Sequence, residues 1–342
     1  MSRNGPSTMK AWQFSSTAGG IEANLKLSHK ADPPPAKLSS DEVFVEVISM
    51  SLNPVDYKVA ELPVVGRFAI TKPASPGLDY CGRVIGTGSA VDVKPGQIVF
   101  GRLDGPSKFG SLAECIVVKR AGAVLLPNGV DPDHAAAIGT AGLTAYQSIV
   151  PYVKAGDKVF INGGSGGTGT FGVQIAKAVG CHVTTSCSSQ NIQLCKDLGA
   201  DEVIDYKSTD LVKELRARAH GFALIVDNVG SPSRLYEDSH HYLKEGGRYV
   251  QVGVASSLSG FFSLFTRSFW PSFLGGGKRP YSFILVVNKY DDFAQIAQWM
   301  KEGKVRAVID TVFEFEEGNK SFDILKSGRA RGKIVVRVTE KS

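Results

Sequence analysis

Long apolar runs and disulfide-type cysteine patterns are both missing from this sequence of 342 residues. No stretch of about 18 apolar residues occurs, so no membrane-spanning helix is predicted. The N-terminus, Met1 to Lys10, lacks the apolar core of a signal peptide. The cysteines are odd in number and form no C-x-x-C pair, which argues against a disulfide framework and for a reducing compartment. We therefore expect a cytoplasmic protein. The cysteines are Cys81, Cys115, Cys181, Cys187 and Cys195.

Runs of like charge are also missing. The net charge of +6 is spread over many segments, without a run of five or six Lys or Arg residues. The basicity therefore indicates a solvated surface, and no nucleic-acid partner is expected. What the chain does contain is an ordinary globular composition, and its length predicts about two domains.

Short β-rich runs separated by glycine and proline turns occupy the first part of the chain. Examples are residues 43–48 and 115–119, and such a pattern is typical of a small β-barrel or sandwich. The chain returns to β-rich runs near its end, as at residues 333–338. The simplest assembly joins residues 1–133 and 303–342 in one domain.

Strands and helices alternate regularly between these two parts, over residues 134–302. An apolar strand at residues 158–162 precedes a helix at 171–179, and further strand–helix pairs follow. This alternation predicts a doubly wound parallel sheet, inserted in the first domain.

A glycine-rich segment, Asn162 to Gly172, lies between the first strand and the first helix of this alternation. Within it, Gly167-x-Gly169-x-x-Gly172 has the dinucleotide-binding spacing. Glycine lets backbone N–H groups approach a pyrophosphate, and the N-terminus of the next helix favours its negative charge. A glycine turn without a ligand is the alternative, but the strand–loop–helix context favours a dinucleotide site.

The end of the second strand indicates which dinucleotide binds. In NAD sites, an Asp or Glu at this place accepts a hydrogen bond from the ribose 2′-OH. The segment Thr185 to Asn191 contains no carboxylate. Small hydroxyl residues leave room for a 2′-phosphate, although they also cap helices well. NADPH is therefore the expected cofactor. Lys207 is the nearest basic candidate for the 2′-phosphate, because no Lys or Arg lies close to Ser188 in the sequence.

Seven segments, in order over nearly the whole chain, carry a resemblance to a known family. They are residues 53–57 (NPVDY), 76–82 (PGLDYCG), 93–99 (VKPGQIV), 141–146 (AGLTAY), 162–172 (the glycine loop), 198–206 (LGADEVIDY) and 332–335 (GKIV). Together they resemble the medium-chain dehydrogenase/reductase superfamily, in its zinc-free quinone oxidoreductase-like and enoyl (oxoene) reductase branch. The resemblance implies an α/β fold, with a Rossmann doubly wound parallel sheet inserted in a GroES-like β-barrel catalytic domain.

Zinc-dependent relatives differ at the metal ligands. They carry a Cys where this chain has Asn53 and a His where it has Leu78, and residues 101–114 lack the cysteines of their structural zinc lobe. A catalytic zinc needs about three protein ligands, so no metal is expected. Without a Lewis acid, a conjugated enone or a quinone is an easier hydride acceptor than a simple ketone, because hydrogen-bond donors can stabilise the enolate.

The resemblance also assigns site residues. Asn53 and Tyr57 are the predicted catalytic residues, as hydrogen-bond donors beside the nicotinamide. A turn residue before Pro54 and a packed aromatic are the alternatives. Free tyrosine has a pKa of about 10, so Tyr57 is expected to donate and not to act as a base. The implied cofactor contacts are Thr144 (nicotinamide ribose or amide), Gly166, Gly167 and Thr168 (pyrophosphate), Ser188 and Tyr206 (2′-phosphate), and Asn228, Val229 and Gly253 (cofactor cleft).

An apolar, aromatic-rich segment covers residues 258–274. A substrate lid, a homodimer contact, a buried part of the core and, less favoured, peripheral contact with a membrane surface all suit such a segment.

The resulting hypothesis is a zinc-independent, NADPH-dependent oxidoreductase that reduces enones, enals or quinones. Its expected partner is a small hydrophobic conjugated carbonyl compound or quinone. Two alternatives stay open: a trans-acting enoyl-thioester reductase that works on a carrier protein, and a nucleotide-binding scaffold or stress protein with little turnover.

Overall fold

The computed structural model describes residues 6–35, 37–62, 66, 70–218, 221–252 and 278–339. The chain divides into two compact units. The first comprises Met1–Leu143, Val287–Gly303 and Ala307–Ser342, and the second comprises Thr144–Val286 and Lys304–Arg306. The sequence-based domain boundaries at residues 133 and 303 stay a prediction, because compact units and domains need not end at the same residues.

Most of the strands have three to six residues, as the spacing of the turn residues predicts, and three have nine or ten. They are β1 (Met9–Gln13), β2 (Lys26–Ala31), β3 (Glu42–Ser51), β4 (Asp79–Thr87), β5 (Ile98–Arg102), β6 (Cys115–Lys119), β7 (Ala123–Leu125), β8 (Lys158–Asn162), β9 (His182–Cys187), β10 (Glu202–Asp205), β11 (Phe222–Asp227), β12 (Leu243–Gln251), β13 (Tyr281–Phe283), β14 (Ile309–Glu314) and β15 (Lys333–Arg337).

In the second unit the α-helices alternate with the strands along the chain, and the remaining helices belong wholly or partly to the first unit. They are α1 (Val55–Glu61), α2 (Pro132–Ala136), α3 (Gly139–Ile149), α4 (Gly167–Val179), α5 (Ile192–Asp197), α6 (Leu211–Ala217), α7 (Arg234–Glu237), α8 (Tyr290–Lys301) and α9 (Lys320–Ser327). No helix in the described ranges combines the length and the apolar character needed to cross a bilayer.

The first unit contains a sheet in the order β14-β15-β3-β4-β5-β7, with β6 also paired to β3. Its pairings are antiparallel except for β14 with β15. Strand β3 has β15, β4 and β6 as neighbours, so all of its residues except Glu42 and Glu46 are buried. Strand β15 brings residues from the end of the chain beside β3, where Val336 pairs with Met50.

The second unit contains a six-stranded sheet in the order β10-β9-β8-β11-β12-β13, and every pairing in it is parallel. The predicted doubly wound parallel sheet is therefore confirmed. The order reverses between β8 and β11, so the connections after these strands leave in opposite directions and open a crevice at their carboxyl ends. Strand β11 is buried along its whole length, as expected for a strand covered on both faces.

Two predicted features lie outside the described residues. One is Gly253, assigned to the cofactor cleft, and the other is the apolar segment at residues 258–274.

Candidate active site

The glycine-rich segment forms the turn between β8 and α4. A Cβ atom added at Gly169 would lie 2.1 Å from the carbonyl oxygen of Gly163, and one at Gly164 would lie 2.1 Å from Thr185 Oγ1. Gly163 also has a positive φ of 79°. The turn therefore folds so tightly against the start of α4 and against β9 that larger side chains do not fit at these positions.

The N-terminus of α4 has no capping side chain, because Gly166 occupies the N-cap position. The first N–H groups of a helix have no partner inside the helix. Gly167 and Thr168 stand in this first turn, and a Cβ atom at Gly166 would meet nothing closer than 3.6 Å. The three residues predicted to hold the pyrophosphate thus share one uncapped, sterically open helix start, which fits an anionic group.

A buried polar network ties the strand ends of the second unit together. Ser186 Oγ donates to Asn162 Oδ1 at 2.6 Å, and Asn162 Nδ2 donates to Asp227 Oδ1 at 2.8 Å. Tyr249 donates through its hydroxyl to Asp227 Oδ2 at 2.6 Å. Because these residues lie at or near the carboxyl ends of β8, β9, β11 and β12, the network fixes the edge of the sheet where the glycine loop begins.

Asn228 and Val229, both predicted to line the cofactor cleft, follow this network directly. Asp227 Oδ1 accepts from the backbone N–H of Val229 at 3.0 Å, and Asn228 Nδ2 donates to the carbonyl oxygen of Asn162 at 3.1 Å. The buried Oδ1 of Asn228 accepts no hydrogen bond from the described residues. The Cγ2 atom of Val229 lies 2.8 Å from the place where a Cβ of Gly163 would stand. The structure therefore brings both residues to the glycine loop.

Ser188 lies immediately after β9 and is buried. Asn191 Nδ2 donates to Ser188 Oγ at 3.2 Å and to Ser165 Oγ at 3.1 Å, which joins the end of β9 to the glycine loop. The Oδ1 atom of Asn191 is buried and accepts from none of the described residues. Asn191 is a residue that the sequence analysis did not single out.

Tyr206 follows β10 and is half exposed. Its backbone N–H donates to the carbonyl oxygen of Cys187 at 3.2 Å, which places it beside Ser188. The neighbouring carboxylate, Asp205, accepts from Ser189 Oγ at 2.6 Å and from the backbone N–H of Lys207 at 2.9 Å. The hydrogen bond from Ser189 is the main cause that lowers the pKa of Asp205.

Thr144 is buried in α3. Its carbonyl oxygen accepts from Ser148 Oγ at 2.6 Å. No hydrogen bond in the described part of the chain joins Thr144 to the glycine loop, so its predicted contact with the nicotinamide stays a prediction.

In the first unit, Asn53 stands at the start of α1 with only 5% of its surface exposed. Its Nδ2 donates to Asp79 Oδ2 at 2.7 Å, and its Oδ1 accepts from the Lys333 ammonium at 2.6 Å. Its backbone N–H donates to Asp56 Oδ2 at 2.7 Å. The Asn53 side chain is thus held by a buried anion and a buried cation, which is more than a turn residue before Pro54 requires.

Asp79 and Lys333 are themselves fully fixed. Asp79 Oδ1 accepts from the backbone N–H and the hydroxyl of Thr140, at 2.7 and 2.6 Å, and its Oδ2 accepts from Ser51 Oγ at 3.2 Å. Lys333 Nζ also donates to the carbonyl oxygen of Leu52 at 2.8 Å and lies 3.4 Å from Asp79 Oδ2. Burial lowers the pKa of Lys333, and the charge of Asp79 opposes that shift.

Asp56 is the second carboxyl in this cluster. Burial, followed by the charge of Asp79, raises its pKa to about 8. Its Oδ1 is buried without a partner among the described residues. At neutral pH the protonated form therefore predominates, and Asp79 is the main counter-charge of Lys333.

Tyr57 is half-buried on α1, four residues after Asn53. Its hydroxyl makes no hydrogen bond with any residue of the described ranges. Burial raises the pKa of Tyr57, and the Lys326 ammonium, 5.0 Å from the ring centroid, partly offsets that shift. The phenol is therefore protonated near neutrality, and its predicted role as a donor stays a prediction.

Lys333 is the principal residue that the sequence reasoning missed. The signal was present, because a lysine directly precedes the apolar run Ile334 to Val336, as the first residue of β15. A charged residue in a buried strand is uncommon unless it is paired. Its partners are 254 and 280 residues away in the chain, so the sequence did not reveal them.

Three comparisons with known proteins bear on this arrangement. Two family models match, one described as an alcohol dehydrogenase GroES-like domain over residues 39–128 and one described as a zinc-binding dehydrogenase over residues 198–336. Trans-enoyl reductase pgmF from Aspergillus terreus is 51% identical over 98% of both chains. The NADPH-dependent alkenal/one oxidoreductase of Arabidopsis thaliana is 31% identical over 97% of this chain and 80% of that protein. The quinone oxidoreductase of Coxiella burnetii superposes with a TM-score of 0.81 at 29% identity, covering 97% and 99% of the two chains.

The fold and the glycine loop define a dinucleotide-binding oxidoreductase. The extent of the similarity then gives the family: the chain belongs to the medium-chain dehydrogenase/reductase superfamily, in its quinone oxidoreductase-like and enoyl reductase branch. Oxidoreductases of this family use nicotinamide cofactors, and the uncapped helix start and glycine turn of this chain fit one. Within the described ranges, no cluster of three or more His, Cys, Asp or Glu side chains is arranged to hold a metal ion.

Proposed function

We propose that this chain is a zinc-independent, NADPH-dependent reductase of conjugated carbonyl compounds: enones, enals, quinones or enoyl thioesters. The observation that carries the proposal is the pair of donors at the start of α1. Asn53 Nδ2 has one N–H beyond the one that Asp79 accepts, and the Tyr57 hydroxyl has no acceptor in the described part of the chain. Two donors suit a carbonyl oxygen on which negative charge develops.

The reduced nicotinamide, when bound, supplies the hydride that the electrophilic carbon receives. Asn53 and Tyr57 donate hydrogen bonds to the carbonyl oxygen of the substrate and stabilise the resulting enolate. Tyr57 or solvent returns the proton. Burial raises the pKa of Tyr57 above its ordinary value, so the hydroxyl is protonated near neutrality and has a proton to donate.

A catalytic zinc ion does not fit the residues at this place. Zinc takes about three N, S or O protein ligands, and Asn53 and Leu78 stand where the zinc-dependent relatives are expected to carry Cys and His. The Lys333 ammonium is already 2.6 Å from Asn53 Oδ1. A second cation on that oxygen would be repelled, which supports zinc independence.

Preference for NADPH over NADH is supported by the end of β9. Ser188 and Asn191 offer neutral polar groups there, and Asn191 Oδ1 is buried without a partner in the described ranges. No carboxylate stands at the end of β9 to accept a hydrogen bond from a ribose 2′-OH. The Asp205 carboxylate at the end of β10 accepts from Ser189 and Lys207.

An enoyl thioester delivered by a carrier protein is the second candidate substrate. It is favoured by one observation, the 51% identity with a trans-enoyl reductase over 98% of both chains. The chemistry at Asn53 and Tyr57 is the same for both candidates, because a thioester carbonyl also accepts hydrogen bonds as the enolate forms.

The test is NADPH oxidation, followed by absorbance, with four acceptors: a quinone, a linear enone, an enal and a crotonyl thioester. We expect turnover of at least one class. Loss of one oxyanion donor costs about 100-fold in kcat, so the kcat of Asn53→Ala should fall by about that factor. The kcat of Tyr57→Phe should fall about tenfold or more, because it loses one hydrogen bond to an oxygen that becomes charged.

Tyr152→Phe is the matched control, since it removes a hydroxyl from the second unit at a residue without an assigned role. If NADPH binds but no acceptor is reduced, the chain is a cofactor-binding scaffold and the reductase proposal is wrong. Turnover that Asn53→Ala and Tyr57→Phe both leave unchanged would contradict the assigned residues.

A further inference from the structure

The Asn53 amide lies between two opposite charges. The Lys333 ammonium donates to its oxygen at 2.6 Å, and Asp79 accepts from its nitrogen at 2.7 Å. The side chains of Lys333 and Asp79 are 2% and 0% exposed, so little solvent screens either charge. Electrostatic interactions are strongest where water is excluded.

The two charges permit only one orientation of the amide. If the amide flipped, its NH2 group would face the ammonium and its oxygen would face the carboxylate, and both contacts would be repulsive. An asparagine at a protein surface exchanges these orientations at little cost. At Asn53 the exchange is blocked, so the group left for a ligand is always an N–H donor and never an acceptor.

The charges are also fixed in position. Asp79 is held by three further donors, from Thr140 and Ser51, and Lys333 is anchored on the carbonyl oxygen of Leu52. A hydrogen bond received by an amide oxygen strengthens the donation by its nitrogen, because linked hydrogen bonds polarise one another. The ammonium therefore makes Asn53 a better donor as well as an oriented one.

We infer that Lys333 and Asp79 are positioning residues that keep Asn53 as an oriented, polarised donor to the carbonyl oxygen of the substrate. This inference rests on the proposed reductase function. The buried ammonium acts through the amide, and it supplies electrostatic stabilisation of the enolate without a metal ion. Neither charged residue needs to touch the substrate.

Single substitutions are poor tests, since removal of one charge leaves the other buried and unpaired, which is strongly destabilising. The double variant Lys333→Met/Asp79→Asn removes both charges and lets the amide flip. A second double variant, Lys333→Gln/Asp79→Asn, keeps polar groups at both positions and carries the test if the first does not fold. Lys320→Met, at an exposed lysine paired with Glu317, is the matched control.

We expect either double variant to lower kcat for the conjugated carbonyl about tenfold or more, the cost of weakening one hydrogen bond to a charged oxygen. The Kd for NADPH and the KM for NADPH should stay unchanged. Lys320→Met should match the wild type. A role that is only structural would lower the melting temperature and the active fraction instead, without altering kcat per folded molecule.

The decisive measurement repeats the double substitution in the Asn53→Ala background. If Lys333 and Asp79 act through Asn53, the double substitution costs nothing further there, since the residue that they orient is absent. Equal losses with and without Asn53 would overturn the positioning role and leave the reductase proposal intact. A wild-type protein that reduces none of the acceptors would overturn both.

Discussion

At the scale of single residues, Asp56 has the most unusual environment of the candidate site. One carboxyl oxygen accepts from the backbone N–H of Asn53, and the other has no partner among the described residues. Burial is the largest cause of its raised pKa, and repulsion from Asp79 adds to it. A buried carboxyl so poorly solvated is more stable when protonated.

This environment predicts a pH dependence of stability. The pKa of Asp56 is 3.8 in a model peptide and about 8 in the folded protein, so between these values the folded state binds more protons than the unfolded state. The contribution of Asp56 is fully present below about pH 4 and is lost as pH rises to about 8.

The measurement is the melting temperature of the wild type and of Asp56→Asn between pH 5 and pH 9. As pH rises, the melting temperature of the wild type should fall relative to that of Asp56→Asn, because the amide has no proton to lose. Asp323→Asn, at an exposed position of α9, is the control for a general effect of charge. Parallel pH curves for the wild type and Asp56→Asn would show that Asp56 is ionised in the folded protein throughout this range.

At the scale of elements, α4 contains one glycine that has no room for a side chain and another that has room for a methyl group. A Cβ atom at Gly169 would lie 2.1 Å from the backbone oxygen of Gly163, whereas one at Gly172 would have ordinary contacts of 3.5 Å with Ile149 and Ile161. The first position is closed by the turn after β8. The second is a normal helix position that faces other side chains.

We therefore predict opposite effects of the same substitution in one helix. Gly169→Ala should lower the free energy of unfolding by about 2 kcal/mol or more, since backbone atoms must shift. Gly172→Ala should be neutral or stabilising by up to about 1 kcal/mol, because alanine favours a helix over glycine. Chemical denaturation of both variants tests this pair, and equal destabilisation would contradict the tight turn.

At the scale of the whole molecule, cofactor binding should stabilise the fold by linkage. A ligand at about 100 times its Kd adds roughly 2.7 kcal/mol to the free energy of unfolding. We expect NADPH to raise the melting temperature more than NADH at equal concentration. Ser188→Asp, which places a carboxylate at the end of β9, should reverse that order; equal shifts with both cofactors in the wild type would count against the NADPH proposal.

The predicted homodimer also belongs to this scale, and it stays a prediction. Strand β13 is at one edge of the six-stranded sheet, and Phe283 and Leu285 near it are 36% and 75% exposed. Sedimentation of the wild type and of Leu285→Lys would measure whether this edge joins two copies.

Local patterns in the sequence were sufficient for the larger part of the fold. The alternation of strands and helices predicted the parallel sheet, and Gly167-x-Gly169-x-x-Gly172 predicted a dinucleotide-binding loop between its first strand and helix. These signals depend on neighbours within a few residues. The positions of Asn53 and Tyr57 came from the resemblance of the segment NPVDY. Thr144 and Gly253 show the limit of carrying residues over from a resemblance. No hydrogen bond in the described structure joins Thr144 to the glycine loop, and Gly253 lies outside the described residues.

The chain by itself thus determined its fold, its family and the types of residue at the site, since strand–helix periodicity and turn chemistry are local properties. Only the tertiary structure decided the partners of the buried charges. Lys333 meets Asn53 across 280 residues because β15 pairs with β3, and Asp79 joins them because β4 also pairs with β3. Burial then sets the charge state of Asp56 and raises the pKa of Tyr57 further, because desolvation depends on what surrounds a residue and not on its place in the chain.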